Sequence, residues 1–401
     1  MLRRIFKAFQ YRDFRLMWTG ACTSTIGTFM QVFAQGWLIY NLSHSAFLLA
    51  LDQVLQATPI FLFSLIGGVI ADRFERRHLL MGSQWVQMGC ALLLTLLVGF
   101  HAIRVWHMLA CSFVTGFAQS FGGPAYQALI PNLVDKEDVP NAISLMSIQF
   151  NAAVLVGPAL GGLAFARLGG TWCFGLNALS FVAPIIALAL LKVRFLPVKT
   201  GESILTSLKQ GVHFMRVREG MAGLMVLAFC MAALAVPSRT FLPVFAKDIF
   251  HRGANTYALF LSCSGAGSIV GALTVAGLGN LRNKGRVALT MMICLGASIA
   301  GFAISPSVPL SCVMLFLSGA SMIAVFTTVN SLVQLIVTNE MRGRVMSVYN
   351  FSFRSGMPLG NLVCGWLVPA FTAPVVIAVN GVLLVGLALY FLMVQRRVAA
   401  L

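Results

Sequence analysis

The sequence predicts an all-α integral membrane protein, with twelve transmembrane helices in two pseudo-symmetric six-helix bundles and both termini in the cytoplasm. Three observations lead there. Of 401 residues, 59% are hydrophobic and 10% charged, with a mean hydropathy of +0.88, whereas soluble domains are about a quarter charged. A soluble chain cannot hide that much apolar surface, so disordered, fibrous and ordinary globular classes are excluded. Apolar stretches recur at about the 20 residues a bilayer crossing needs. The basic excess, 28 Lys and Arg against 11 Asp and Glu for a net +17, sits in alternate loops.

Charges and turn residues bound each span. Span 1 (14–40) follows the basic segment Arg3 to Arg15 and ends before His44. Span 2 (47–71) stops at Asp72 and Arg73, and span 3 (78–100) starts beyond Arg76 and Arg77. Arg104 precedes span 4 (105–130), and Lys136 separates it from span 5 (139–167). Arg167 and the Gly169-Gly170 pair divide span 5 from span 6 (171–192). Span 7 (220–246) ends before Lys247, and span 8 (254–280) begins after Arg252. Lys284 and Arg286 precede span 9 (287–304), and Ser305 to Ser307 lead into span 10 (308–337). Arg342 and Arg344 open span 11 (343–371), and span 12 (374–395) reaches Arg396. The first apolar stretch is too long for a signal peptide and has no small-residue cleavage site, so it is expected to stay as an anchor.

The loops assign the two sides. The N-terminal segment, the loops after spans 2, 4, 6, 8 and 10, and the C-terminus carry 22 of the 28 basic residues. Arg104, Arg167, Lys247 and Arg252 are the four on the opposite face. This asymmetry places both termini in the cytoplasm, and the inner (cytoplasmic) membrane is the expected location. It also removes the nucleic-acid reading that a basic chain would otherwise invite. Arg239 and Arg354 remain, inside spans.

The longest polar stretch divides the chain into an N-terminal bundle (1–192), a cytoplasmic linker (193–219) and a C-terminal bundle (220–401). In the linker Ile204, Leu205, Leu208, Val212 and Met215 share one helical face, which predicts an amphipathic helix on the inner leaflet; a solvated linker is the alternative. The bundles repeat at an offset near 203–209. Adding 203 takes Phe150 to Phe353, Gly157 to Gly360, Gly162 to Gly365 and Asn151 to Arg354. Two six-span repeats with a site between them is the architecture of alternating access.

Gly68-x-x-x-Asp72-Arg73-x-x-Arg76-Arg77 after span 2 resembles the cytoplasmic loop motif of the major facilitator superfamily. Gly157-Pro158-x-x-Gly161-Gly162 on span 5 resembles the motif of its antiporters. Asp13 to Trp18, Gln35 to Tyr40 and Arg342 to Ser347 are similar to its exporter branch, which holds the enterobactin exporter and macrolide-efflux permeases. Glu75 stands where the superfamily has glycine, and Asn361 and Cys364 break the glycine pattern in the second half. The resemblance implies a proton-coupled exporter of a small amphiphilic molecule that is siderophore-, macrolide- or drug-like. An uptake symporter of the same fold and a non-transporting scaffold or receptor are the alternatives.

Under that resemblance Gly68, Asp72, Arg73, Arg76, Arg77 and Arg342 form a gate, with Asp72 bound to the start of span 11 or to Arg342. A carboxylate gains from the exposed N–H groups of a helix start. Alternatively Asp72 caps its own loop and the arginines only set topology. Gly157, Pro158, Gly161 and Gly162 either seal the outer side or serve ordinary close packing.

Ionisable groups inside spans are costly in hydrocarbon and so are expected at a cavity or a partner. Arg354 and Arg239 are substrate-cavity candidates, with the neutral residues Gln31, Gln35, Gln56, Gln119 and Asn151, each of which also reads as interhelical glue. Two guanidiniums favour a neutral or anionic ligand. Asp52 is the intramembrane carboxylate and the candidate for proton coupling; an interfacial residue is its other reading. The expected partners are a small-molecule substrate, the lipid bilayer and protons, with the chain acting as a monomer. No nucleotide loop, H-E-x-x-H or G-x-S-x-G occurs, and the nine cysteines have no C-x-x-C spacing. No enzyme chemistry, metal or cofactor is therefore expected, and a proton gradient is the expected energy source.

Overall fold

The computed structural model describes residues 6–73, 75–191, 220–277, 283–338, 341–395 and 398, with the backbone alone at 64–73. All regular structure among the described residues is helical. Twelve long helical segments follow in order: α1 (Arg12–Ser43), α2 (Ala46–Arg73), α3 (Arg76–Gly99), α4 (Val105–Leu129), α5 (Val139–Leu168), α6 (Gly170–Leu190), α7 (Met221–Ile249), α8 (Ala254–Gly277), α9 (Lys284–Ala303), α10 (Val308–Ile336), α11 (Arg342–Phe371) and α12 (Ala373–Met393). Each predicted span coincides with one of these to within a few residues. The predicted linker helix over 193–219 lies outside the described residues.

In hydrocarbon a helix satisfies every backbone N–H and C=O internally, so apolar stretches of this length have no other open-chain solution. Nine of the segments are long and apolar enough to cross a membrane. The other three, α1, α4 and α11, are as long, at 32, 25 and 30 residues, but carry more polar side chains. Large apolar residues lie open on the surface, Trp366 at 73% exposure and Leu273 at 67% among them, as expected where lipid rather than water is the solvent.

Helix ends follow local chemistry. α1 stops where His44 turns left-handed at φ 50° and α5 where Gly169 does at φ 86°, conformations that break the α ladder. Pro59, Pro124, Pro158, Pro237 and Pro358 lie within helices, and each removes one backbone donor. Two segments are interrupted. α6 breaks at Phe181, and α7 breaks at Phe241 before ending in a π-helical turn, Phe245–Ile249.

The contacts divide the chain into two compact units: Met1–His44 with Leu55–Thr200, and Ser45–Val54 with Gly201–Leu401. The first ten residues of α2's neighbourhood thus group with the C-terminal helices, and Ala50 lies against Gly365 of α11. Each unit repeats the same packing. In the first, Gly157 of α5 presses on Ile26 and Phe29 of α1, and Gly116 of α4 on the Gln56 carbonyl of α2. In the second, Gly360 of α11 presses on the Ala233 carbonyl of α7, and Gly319 of α10 on the Ser264 carbonyl of α8. A side chain at any of these four positions would overlap the neighbouring helix, so glycine sets the approach.

Candidate functional site: polar faces on apolar helices

Along α11, Ser347, Asn350 and Arg354 are exposed and fall on one helix face. The matching positions on α5 are Ser144, Ser147 and Asn151. Ser144 and Ser147 are exposed, while Asn151 is half-buried and donates through Nδ2 to the Ser147 carbonyl at 2.8 Å. Each repeat therefore carries a polar face at the same register. The two faces differ at one end, where an amide on α5 matches a guanidinium on α11. Sequence reasoning offered Arg354 a cavity or a buried ion pair. The side chain is exposed and makes no hydrogen bond or ion pair with any described residue.

Arg239 sits differently. It is half-buried in the turn after Pro237, and its Nη2 donates to Ser268 Oγ of α8 at 3.1 Å. Ser268 in turn donates to the Ser264 carbonyl at 3.0 Å, with the Gly319 carbonyl of α10 at 3.3 Å. Arg239 thus belongs to a polar link through α7, α8 and α10.

Of the neutral candidates, Gln31 and Gln35 are drawn into one chain of bonds. Asn177 Nδ2 of α6 donates to Gln31 Oε1 at 2.7 Å, Gln31 Nε2 approaches Gln35 Oε1 at 3.4 Å, and Gln35 Nε2 donates to Ser112 Oγ of α4 at 2.7 Å. That chain ties three helices together, as glue does. Gln119 accepts from Gln87 Nε2 of α3 at 3.3 Å on an exposed edge. Gln56 is half-buried beside Gly116. Asp52 is 3% exposed. Gln53 Nε2 lies 3.4 Å from its carboxylate, and Tyr257 of α8 is within its electrostatic reach.

The side chains of Gly68, Asp72 and Arg73 lie outside the described residues. Those of Arg76 and Arg77 have partners. Arg76 Nη1 donates to the Ala128 carbonyl at 3.2 Å, while Arg77 donates to the Ala189 and Leu191 carbonyls at 2.8 and 3.3 Å. Both guanidiniums therefore cap C-terminal ends, of α4 and of α6, where orphan carbonyls and the helix dipole favour a cation. Glu75 pairs with His78 at 2.9 Å. Pro158, Gly161 and Gly162 are buried, and Gly161 faces Met30 and Phe33 of α1. Arg342 is exposed at the first turn of α11 and borders a cleft along α10.

One cluster was not read from the sequence. The short helix Lys7–Gln10 is latched to the turn between α4 and α5: Lys7 Nζ meets Asp138 at 2.7 Å, and Tyr11 OH donates to Asp135 and Asp138 at 2.8 Å. Gln10 Nε2 donates to Asp138 at 3.1 Å and the Ala8 N–H to Asn141 Oδ1 at 2.9 Å. The Lys7 hydrogen bond, more than any other contact, holds the Asp138 carboxyl below its usual 3.8, and the same bond raises Lys7 above 10.5. Desolvation, then the bond to Asp138, pushes Tyr11 up to about 12. Lys7 had been counted only as topological charge. The signal was the run Asp135 to Asp138, four residues with three acids, set in a loop on the otherwise basic side.

The paired repeats, the apolar helices and the polar faces define an all-helical fold of two matched units. Solved structures bear this out. The chain matches a POT family transporter in complex with 5-aminolevulinic acid at a TM-score of 0.77 and 12% identity, covering 96% of each chain. It matches a mutant of the nucleoside transporter NupG at a TM-score of 0.77 and 14% identity, covering 95% of this chain and 99% of that one. At those identities the likeness is one of fold.

The family model described as transmembrane secretion effector matches residues 5–400, and the chain belongs to that family of the major facilitator superfamily. Among curated relatives it is 24% identical to the multidrug efflux pump Tap of Mycolicibacterium fortuitum, over 87% of this chain and 88% of that protein. It is 25% identical to the enterobactin exporter EntS of Shigella boydii, over 90% and 86%, and 22% identical to the staphyloferrin A transporter of Staphylococcus aureus, over 93% and 94%.

Proposed function

We propose that the chain is a secondary active exporter that moves a small amphiphilic molecule, siderophore-, macrolide- or drug-like, across the cytoplasmic membrane by alternating access. The observation that carries this reading is the polar face of α11, which places an exposed Arg354 with no partner among the described residues partway along a 30-residue helix. A guanidinium there requires water or an anion, which a transport path supplies. The printed names of the relatives, an efflux pump and an exporter among them, favour export over uptake.

On this reading all twelve helices cross the membrane, including the more polar α1, α4 and α11, and the termini are cytoplasmic. The N-terminal bundle (1–192) and the C-terminal bundle (220–401) work as one monomer joined by the 193–219 linker. Asp72, with Gly68, Arg73 and Arg342, works the cytoplasmic gate, while Arg76 and Arg77 stiffen the helix ends beside it. The α5 glycines set the pitch of α1 against α5. Protons drive the cycle, and Asp52 is the carboxylate assigned to carry them.

The test is retention of candidate compounds in a strain lacking its own pumps, with and without the chain and with and without a proton uncoupler. Lower retention that the uncoupler abolishes supports the reading, and higher retention turns it toward uptake.

A further inference from the structure

The cleft beside Arg342 has a chemistry of its own. It measures about 440 Å³ and is lined by Phe326, Thr327, Asn330, Ser331, Gln334 and Leu335 of α10 together with Arg342 of α11. All of these belong to the second unit. The Phe326 ring packs on Phe353 at 5.0 Å and leans toward Tyr349 at 6.5 Å, so the wall is aromatic and held from behind. Asn330 Oδ1 accepts from Gln334 Nε2 at 2.6 Å, which leaves the Asn330 NH2 group as a donor. Ser331 and Arg342 make no bond to any described residue. Thr327 spends its hydroxyl on the Ile323 carbonyl at 2.8 Å. The Tyr349 hydroxyl is fully buried and lies beside the Asn330 side chain. Among the described residues no acid lines the cleft; Glu340, the nearest in sequence, lies outside them.

We infer that this cleft is a loading site for an amphiphilic anion, whose carboxylate or similar group is held by Arg342, Asn330 and Ser331 while its apolar body lies on Phe326. The inference rests on the export reading and deepens it by naming the charge of the substrate and the end of α11 where it is first met. A cation with neutral donors, and no carboxylate among the described lining residues, favours anions, because charge-assisted hydrogen bonds are roughly twice as strong as neutral ones. The cleft lies twelve residues before Arg354 on the same helix, about 18 Å at 1.5 Å per residue. The two guanidiniums are thus successive stations for one charge.

The experiment measures binding of 1-naphthoate, 1-naphthylmethanol and 1-naphthylmethylammonium to the full chain in nanodiscs at low salt, by equilibrium dialysis. The expected order places naphthoate about tenfold tighter than the alcohol, with the ammonium weakest. Arg342→Gln brings naphthoate to the level of the alcohol and leaves the alcohol unchanged. Asn330→Asp puts a carboxylate in the cleft and reverses the preference toward the ammonium, a gain that a misfolded protein does not show. Equal binding of naphthoate and alcohol to the wild type overturns the inference. So does a preference unaffected by Arg342→Gln, or one lost only on Arg354→Gln. A chain that exports compounds from cells but fails this test loses the loading site and keeps the export function.

Discussion

A guanidinium partway along an apolar helix is tolerated through an ion pair, through neutral hydrogen bonds, or through water. Arg239 takes the second route, with Ser268 as its partner; for Arg354, which has no partner among the described residues, we propose the third. The sequence set both arginines apart as charges without a topological role, Arg354 near the middle of its span and Arg239 further outward, but only packing reveals that α8 offers Arg239 a hydroxyl. The account therefore predicts different outcomes for the same substitution. Arg354→Gln removes no bond to a described residue, so expression and melting temperature stay at the wild-type level. Export falls about tenfold or more, the loss expected for one charge-assisted hydrogen bond to substrate, about 1.5–3 kcal/mol. Accumulation assays beside thermal unfolding of the purified variant check both halves. The glutamines show the reverse side of legibility. Gln31 and Gln35 stood as cavity candidates, and tertiary structure assigns them to Asn177 and Ser112 on helices far away in sequence.

Elements were the most legible level, for a physical reason. A bilayer demands about 20 apolar residues and internal backbone bonding, so composition alone fixes where helices run, and the predicted boundaries fall within a few residues of the observed ones. What helices do to each other was legible only through glycine. Gly360 abuts the Ala233 carbonyl, while nothing stands within 4 Å of a side chain placed at Gly386. Gly360→Val should therefore cost about 1–3 kcal/mol by overpacking and lower the melting temperature, whereas Gly386→Ala should leave it unchanged or raise it. The N-terminal latch was illegible because its pieces are more than 120 residues apart. Its acid partner is held below 3.8 and its lysine above 10.5. The Asp138 contribution is thus complete above about pH 4 and fades as pH falls through the lowered value, and the Lys7 contribution persists until pH climbs past 10.5. Asp138→Asn should then destabilise by a constant amount between about pH 5 and pH 9, and the difference from wild type should vanish in strong acid. Thermal unfolding across that range checks it.

At the scale of the whole molecule, two units repeat one packing scheme, with α1 on α5 and α2 on α4 matched by α7 on α11 and α8 on α10. The repeat was visible in the sequence as an offset near 203, and the structure turns that arithmetic into matched close approaches. The symmetry is broken where function is expected to need it. At the register where α5 carries Asn151, α11 carries Arg354, and the polar face of α11 begins beside the cleft along α10, whereas the loop after α4 holds the acidic latch. On the proposed topology most of the basic residues behind the net +17 lie in cytoplasmic loops, and a few cations remain to meet a ligand. The central claim is that the chain exports an amphiphilic anion at the expense of a proton gradient. Its most direct measurement is the retention of a fluorescent aryl carboxylate in pump-deficient cells, with and without the chain, before and after an uncoupler. The account predicts lower retention in cells carrying the chain and loss of that difference on uncoupling. Retention equal to the empty strain for the carboxylate, with a neutral or cationic analogue expelled instead, would contradict it.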